Sequence, residues 1–318
     1  MAPTTPARTP RRTRHRVATT VAALLAPPLG AVVLTPPPAG AASTTPIQVI
    51  GAENQYANVM AQIGGRYVHV ASILDNPNTD PHTFEASPHV AQEVAGAQLI
   101  VQNGVGYDTF MGSIEGASPK SGRQVIVVQH LLGLPDDTPN PHLWYSPSTM
   151  PKVAAAVATA LARLDPPHAA YFRSNVQAFD ASLQPWLRAI AAFKKAHPNA
   201  PVATTEPVAD DLLSAMGMHN LTPFVFQADI MNGVDPSPQS ITLEDHFFSA
   251  HLVKVFCYNE QVVDSLTTSI RQTALHDHVP VVAVYETMPT GDDYQQWMMS
   301  ELRAISSAVT SGKSTQRL

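Results

Sequence analysis

The sequence predicts an α/β protein of two lobes, each with a mainly parallel sheet flanked by helices, joined by one long backbone helix. Three observations carry this. Short β-branched runs alternate with segments of helical apolar spacing up to residue 164, the same alternation returns after residue 198, and an apolar stripe of helical period runs between them. Strands alternating with helices indicate a parallel sheet covered by those helices. A chain of 318 residues is also long enough for about two domains.

Residues 1–41 stand apart from this pattern. Arg8, Arg11, Arg12, Arg14 and Arg16 form a basic stretch without an acidic residue, an apolar run follows over residues 17–34, and Ala39-Gly40-Ala41 closes it. Positive, apolar and small-residue regions in that order predict an export signal. The apolar run approaches the roughly 20 residues that span a bilayer, but Pro27-Pro28 and Gly30 interrupt it. No cysteine lies near the cleavage site, so lipid attachment there is not expected. Loss of the five arginines takes the formal net charge from −6 to −11.

The first lobe is expected over residues 42–164, with strands at 47–52, 69–74, 98–104 and 124–129. Helices are expected at 56–63, 89–97 and 150–164, where apolar residues recur at helical spacing. Residues 165–197 form the linking helix. Phe172, Val176, Phe179, Leu183, Trp186, Ile190 and Phe193 alternate spacings of four and three, a continuous helical face. Asp165 is a candidate N-cap, and Pro185 should kink the helix. The second lobe, 198–318, shows strands at 201–205, 254–258 and 279–285 and helices at 247–253 and 262–275. A loop is expected at 232–239.

Composition narrows the chemistry. With 19 basic and 25 acidic residues and no dense basic run after residue 16, the chain has no basic face for nucleic acid. One cysteine excludes an intrachain disulfide framework, a Cys-based zinc finger and a protein-held iron–sulfur cluster. Histidines and carboxylates remain, and four of them stand at or beyond the ends of expected strands. They are His82 in the segment 78–85, His142 in 140–144, Glu206 in Thr204-Thr205-Glu206-Pro207 and Glu286 in Tyr285-Glu286-Thr287. Ligands of open α/β sheets bind beyond the carboxyl ends of strands. A proline adjoins three of the four residues and lies three positions beyond the fourth, stiffening the backbone around each. Two imidazoles and two carboxylates suit first-row dications.

The segments Asn-Thr-Asp-Pro-His-Thr-Phe-Glu (78–85), Ala-Gln-Leu-Ile-Val-Gln-Asn-Gly-Val-Gly (97–106) and Asn-Pro-His-Leu-Trp (140–144), in this order and spacing, resemble the metal-ion class of ABC-transporter solute-binding proteins. The resemblance covers residues 47–302. It implies a non-enzymatic, exported protein, periplasmic or at the cell surface, that carries Mn²⁺ or Zn²⁺, with Fe²⁺ also within the class, to an ABC permease as a monomer. It also implies His82, His142, Glu206 and Glu286 as the metal ligands. Relatives commonly have Asp where Glu286 stands, and zinc-importing relatives often have a His-rich loop before the second motif and a third His in place of Glu206. The last two departures tilt toward manganese or iron, or toward a low-selectivity site. The affinity order of dications opposes the tilt, since Zn²⁺ outcompetes Mn²⁺ at most nitrogen–oxygen sites, and metal identity stays open.

Glu260, after the strand at 254–258, is an alternative fourth ligand or a hydrogen-bond acceptor behind the site. His276 and His278 read as solvent-facing, His246 and His251 as structural, Trp144 as a packed wall beside His142, and Cys257 as a buried small hydrophobe. Two other functions use the same residues: a metallohydrolase with an open coordination position, and a surface adhesin or scavenger without a transporter. The first lacks any HExxH-type motif.

Overall fold

The computed structural model describes residues 45–78 and 84–318. The leader at 1–41 and His82 lie outside the described residues. In the first lobe the elements run β1 (Ile47–Glu53), α1 (Asn54–Gly64), β2 (Val68–Leu74), α2 (Pro88–Gly96), β3 (Leu99–Gln102), α3 (Phe110–Ala117), β4 (Gln124–Val127), α4 (Val128–Leu132) and α5 (Thr149–Leu164). Then come α6 (Ala169–Ser182) and α7 (Gln184–Ala196). The second lobe holds β5 (Pro201–Thr204), α8 (Asp210–Ala215), β6 (His219–Asn220), α9 (Phe224–Met231), α10 (Pro238–Ser249), β7 (Val255–Asn259), α11 (Ser265–His276), β8 (Val281–Val284) and α12 (Tyr294–Ser311).

The two sheets repeat one winding. Their strand orders are β2-β1-β3-β4 and β6-β5-β7-β8, parallel throughout. In each, the chain leaves the first strand toward one edge and returns on its other side, so a switch point lies between β1 and β3 and again between β5 and β7. Crevices at switch points are where such sheets bind ligands. Alternate residues of the first sheet face opposite layers: Val49, Leu99 and Val101 join the main core, whereas Ile50, Ala52 and Ile100 pack with Ile73, Val94 and Met111 beneath α2 and α3. The outer edge of β8 is covered by the chain after α12, where Thr315 N–H donates to Val281 O and Ala283 N–H to Thr315 O. That covering satisfies an edge that would otherwise present unpaired backbone groups.

Several boundaries differ from expectation. The strand expected to reach Gln129 ends at Val127, and Gly133, in the left-handed conformation at φ 71°, caps the short helix α4. The helix expected at 247–253 is α10, which starts earlier because the Ser237 hydroxyl caps it and Pro238 occupies its first turn. The helix expected from residue 262 starts at Ser265, where Asp264 and Thr267 form a capping box. The connecting segment is helical but broken at Leu183. Pro185 lacks the N–H that would continue the ladder and sits in the first turn of α7. Asp165 accepts from the His168 ring nitrogen at 2.7 Å, and α6 begins only at Ala169. The apolar stripe holds across the break, with Phe172, Phe179, Leu183, Trp186, Ile190 and Phe193 buried. Helix α6 packs on α5 and α1 of the first lobe, and α7 on α12 of the second.

The lobes are tied on the side of β8. Asn54 and Met288 exchange a reciprocal pair of hydrogen bonds at 2.8 and 3.0 Å. The Tyr145 hydroxyl lies 2.8 Å from Tyr285 O and 3.0 Å from Glu301 Oε1, and Tyr294 O–H donates to Trp144 O at 2.7 Å. Glu301 is fully buried, and burial lifts its carboxyl to about 8. Its folded value lies above the unfolded 4.5, so the folded state keeps a proton that the unfolded state loses. This contribution to stability is present in full below about pH 4.5 and declines as pH rises toward 8. Glu301→Gln retains an acceptor for Tyr145 and Trp297 without ionising. Thermal unfolding of the variant should show a smaller fall in Tm between pH 5 and pH 8, by several degrees. Parallel Tm–pH curves for the two proteins would refute this.

Candidate metal centre

The His142 imidazole is held by its own turn. Asn140 Oδ1 accepts from the His142 backbone N–H at 3.1 Å and lies 2.8 Å from ring Nδ1. Asn140 donates its amide to Pro207 O at 2.9 Å, so its Oδ1 is the acceptor and Nδ1–H the donor. That arrangement turns Nε2 toward the second lobe, the usual way a protein orients a ligand imidazole. Nε2 lies 3.3 Å from Glu286 Oε2, with both side chains fully buried. The Trp144 ring stands edge-on to the imidazole, with centroids 5.5 Å apart, and is the packed wall the sequence predicts.

Glu206 and Glu286 follow β5 and β8, with β7 between them in the sheet. Gln261 Oε1 accepts from the N–H groups of Glu286 and Thr287 at 2.7 and 2.8 Å, which fixes the backbone carrying Glu286. Asn259, the last residue of β7, reaches both carboxylates. Its Nδ2 lies 3.2 Å from Glu206 Oε1 and 2.6 Å from Glu286 Oε1. From the first lobe, Tyr107 O–H donates to Glu286 Oε2 at 2.8 Å.

Tyr107 is placed by a strained loop after β3. Gly104, Val105 and Gly106 all have positive φ (82°, 55° and 77°), a conformation costly for a β-branched valine. A Cβ on Gly104 would stand 2.7 Å from Gln129 Oε1. The loop is fastened from within: Asp108 accepts from the N–H groups of Asn103 and Gly104 at 2.6 and 2.9 Å, and Gln129 Oε1 accepts from Val105 N–H at 2.7 Å. Asn103 also accepts from Tyr56 O–H at 2.6 Å and donates to Pro141 O, beside His142, at 2.8 Å. Burial raises the Glu53 carboxyl well above its ordinary range, with neighbouring Asp108 adding to the effect. Burial likewise raises Asp108 against the two backbone N–H bonds that lower it.

Of the four candidate ligands, the structure sets His142 against Glu286 and links Glu206 to Glu286 through Asn259. The fourth, His82, is outside the described residues. Among the described residues no group of three His, Cys, Asp or Glu side chains is close enough to hold a metal ion. Glu260 points elsewhere: it pairs with Arg271 at 3.8 Å and Arg317 at 3.6 Å. His276, His278, His246 and His251 are exposed. Cys257 is buried, and burial pushes its thiol up. Tyr107, Asn259, Gln261 and the orienting role of Asn140 were not foreseen. The available signals were Gly-Val-Gly after a strand and a polar Asn ending the apolar run Val-Phe-Cys-Tyr.

Known proteins match this architecture. The manganese-binding lipoprotein MntA of Bacillus subtilis is 25% identical over 147 residues, covering 43% of this chain and 47% of that protein. The chain thus spans about half the length of the curated relatives it matches. Among solved structures, the periplasmic zinc-binding protein TroA of Treponema pallidum superposes with a TM-score of 0.69 at 17% identity, covering 83% of this chain and 99% of the other. A crystal structure of ZnuA gives 0.69 at 19% identity, covering 84% and 100%. At these identities the superpositions show the two-lobed fold. The family model described as ZnuA, zinc-uptake complex component A, periplasmic, matches residues 49–308. The chain therefore belongs to the ZnuA family of metal-ion solute-binding proteins of ABC transporters, which are binding proteins and not enzymes.

Proposed function

We propose that this protein captures a divalent transition-metal ion (Mn²⁺ or Zn²⁺, with Fe²⁺ within the same chemistry) through His82, His142, Glu206 and Glu286, and hands it to the membrane permease of an ABC transporter. The ion is cargo, held where the carboxyl ends of the two sheets meet. The leader at 1–41 directs export, and lobes at 42–164 and 198–318 meet across the segment 165–197. The observation that carries this reading is the approach of His142 Nε2 to Glu286 Oε2 at 3.3 Å, fully buried, with one group from each lobe. Two ligands bonded at about 2.1 Å to one tetrahedral ion lie roughly 3.4 Å apart. The imidazole is oriented from behind by Asn140, and both carboxylates are gripped by protein donors, so the donor atoms are ordered before an ion arrives. Membership of a family of binding proteins favours cargo capture over the metallohydrolase reading.

Release follows from separating donors that belong to different lobes. Capture should weaken in acid, since metal competes with protons for imidazole and carboxylate. Isothermal titration of the metal-free full chain with Zn²⁺ and with Mn²⁺ at pH 7 tests the proposal. One saturable site per chain of micromolar or tighter affinity is expected for at least one ion. No saturable heat with either overturns it.

A further inference from the structure

His142 leads directly into a single 3-10 turn, Leu143–Tyr145, and Glu286 follows Tyr285 just beyond β8. These two short segments belong to different lobes, and tyrosine hydroxyls join the lobes there in both directions. The Tyr145 hydroxyl lies 2.8 Å from Tyr285 O and accepts from Tyr285 N–H at 3.3 Å. In return Tyr294, on α12, donates its O–H to Trp144 O at 2.7 Å. Tyr145, Tyr294 and Trp144 are fully buried, where a carbonyl left without its donor is costly. Burial raises both phenols above their ordinary range, so each remains a donor. Glu301 Oε1 stands 3.0 Å from the Tyr145 hydroxyl. With its carboxyl lifted by burial to about 8, Glu301 keeps at neutral pH a proton for the Tyr145 oxygen, which leaves the phenol proton for Tyr285 O. The Tyr145 ring is held separately, edge-on to Trp297 with centroids 5.6 Å apart.

We infer that Tyr145 and Tyr294 form a latch between the lobes that holds the backbone at His142 in register with the backbone at Glu286 and sets how slowly a bound ion leaves. The inference rests on the reading proposed above, in which donors come from both lobes. It does not depend on how many donors there are or on which carboxylate oxygen meets the ion. An ion held from both sides leaves when the lobes part, and parting breaks both phenol bonds. These bonds join protein groups alone, so the two segments are aligned before capture, and such preorganisation strengthens binding by cutting its ordering cost. Changes to an interface act mostly on the dissociation rate, so loss of one hydroxyl should speed release more than it slows capture. Tyr145 and Tyr294 are positioning residues and not metal ligands.

Stopped-flow release of Zn²⁺ or Mn²⁺, whichever the parent binds, into excess chelator tests this on the full chain, with the capture rate measured separately. Tyr145→Phe keeps the ring and loses only the hydroxyl. Release is expected to quicken about tenfold, the worth of one buried hydrogen bond, with the capture rate changed less than about twofold. Tyr294→Phe removes the bond made from the opposite lobe and should act in the same direction; it carries the test if Tyr145→Phe does not fold. Val157→Ala is the control, a fully buried position in α5 whose truncation loosens the core of the first lobe and removes no hydrogen bond. It should leave the release rate in place. Unchanged release from a folded Tyr145→Phe, or equal acceleration in Val157→Ala, overturns the latch and leaves the metal site standing. A parent chain that binds neither ion overturns the site and the latch together.

Discussion

Replacing His142 by Ala is expected to weaken metal binding at least 100-fold while leaving the metal-free protein folded. The imidazole reaches the second lobe through Nε2 and is braced by Asn140 through Nδ1. Alanine removes one of the proposed donors outright, whereas loss of a supporting hydrogen bond behind a ligand typically costs 10–100-fold. The measurement is paired. Titration gives the affinity, and the rise of Tm with added metal gives an independent reading, because a ligand that binds only the folded state stabilises by RT ln(1 + [L]/Kd). A large metal-induced shift in the parent should nearly vanish in His142→Ala. Equal shifts in both proteins would remove His142 from the site.

Trp144→Ala carries the largest expected loss of stability, about 3–5 kcal/mol by comparison with large-to-small changes at filled core positions. The indole is fully buried. Its ring meets Tyr107 at 5.1 Å, His142 at 5.5 Å and Tyr56 at 6.4 Å between centroids, all at steep angles. Such edge-to-face pairs add to the area buried. The indole Nε1 has no hydrogen-bond partner among the described residues, so the ring acts by volume and shape. Trp144→Phe should therefore cost well under half as much as Trp144→Ala. Urea unfolding midpoints of the three proteins decide this; a phenylalanine variant as unstable as the alanine one would mean that an indole hydrogen bond matters.

Much of the fold was legible in residue order. The strands of the first sheet announce themselves by β-branched runs such as Val-Ile-Gly-Ala at 49–52 and Leu-Ile-Val at 99–101, which are apolar on both faces because helices cover both faces of a parallel sheet. The stripe from Phe172 to Phe193 was equally plain, since a helix must keep one face on the core. Two-residue β6 was invisible, because His219 and Asn220 carry no apolar pattern and pair with β5 only once the chain has turned back. The start of α10 was misplaced because Ser237-Pro238 reads equally as a loop and as a capped first turn.

The candidate ligands divide the same way. Histidines and glutamates beside prolines, at or beyond strand ends, identified His82, His142, Glu206 and Glu286 as residue types, and their motifs placed the chain in its family. Sequence alone left Glu260 and Glu286 as rivals. The fold turns Glu260 toward Arg271 and Arg317 and brings Glu286 within 3.3 Å of an imidazole 144 positions earlier in the chain. Residue order determined which chemical groups are available and which strands would carry them, since propensity and hydrophobic period act over a few neighbouring residues. Only the tertiary structure decided which groups face one another, and that an asparagine amide lies between two of them. Such contacts join residues from separate strands and separate lobes, and their geometry is set by packing that no local pattern records.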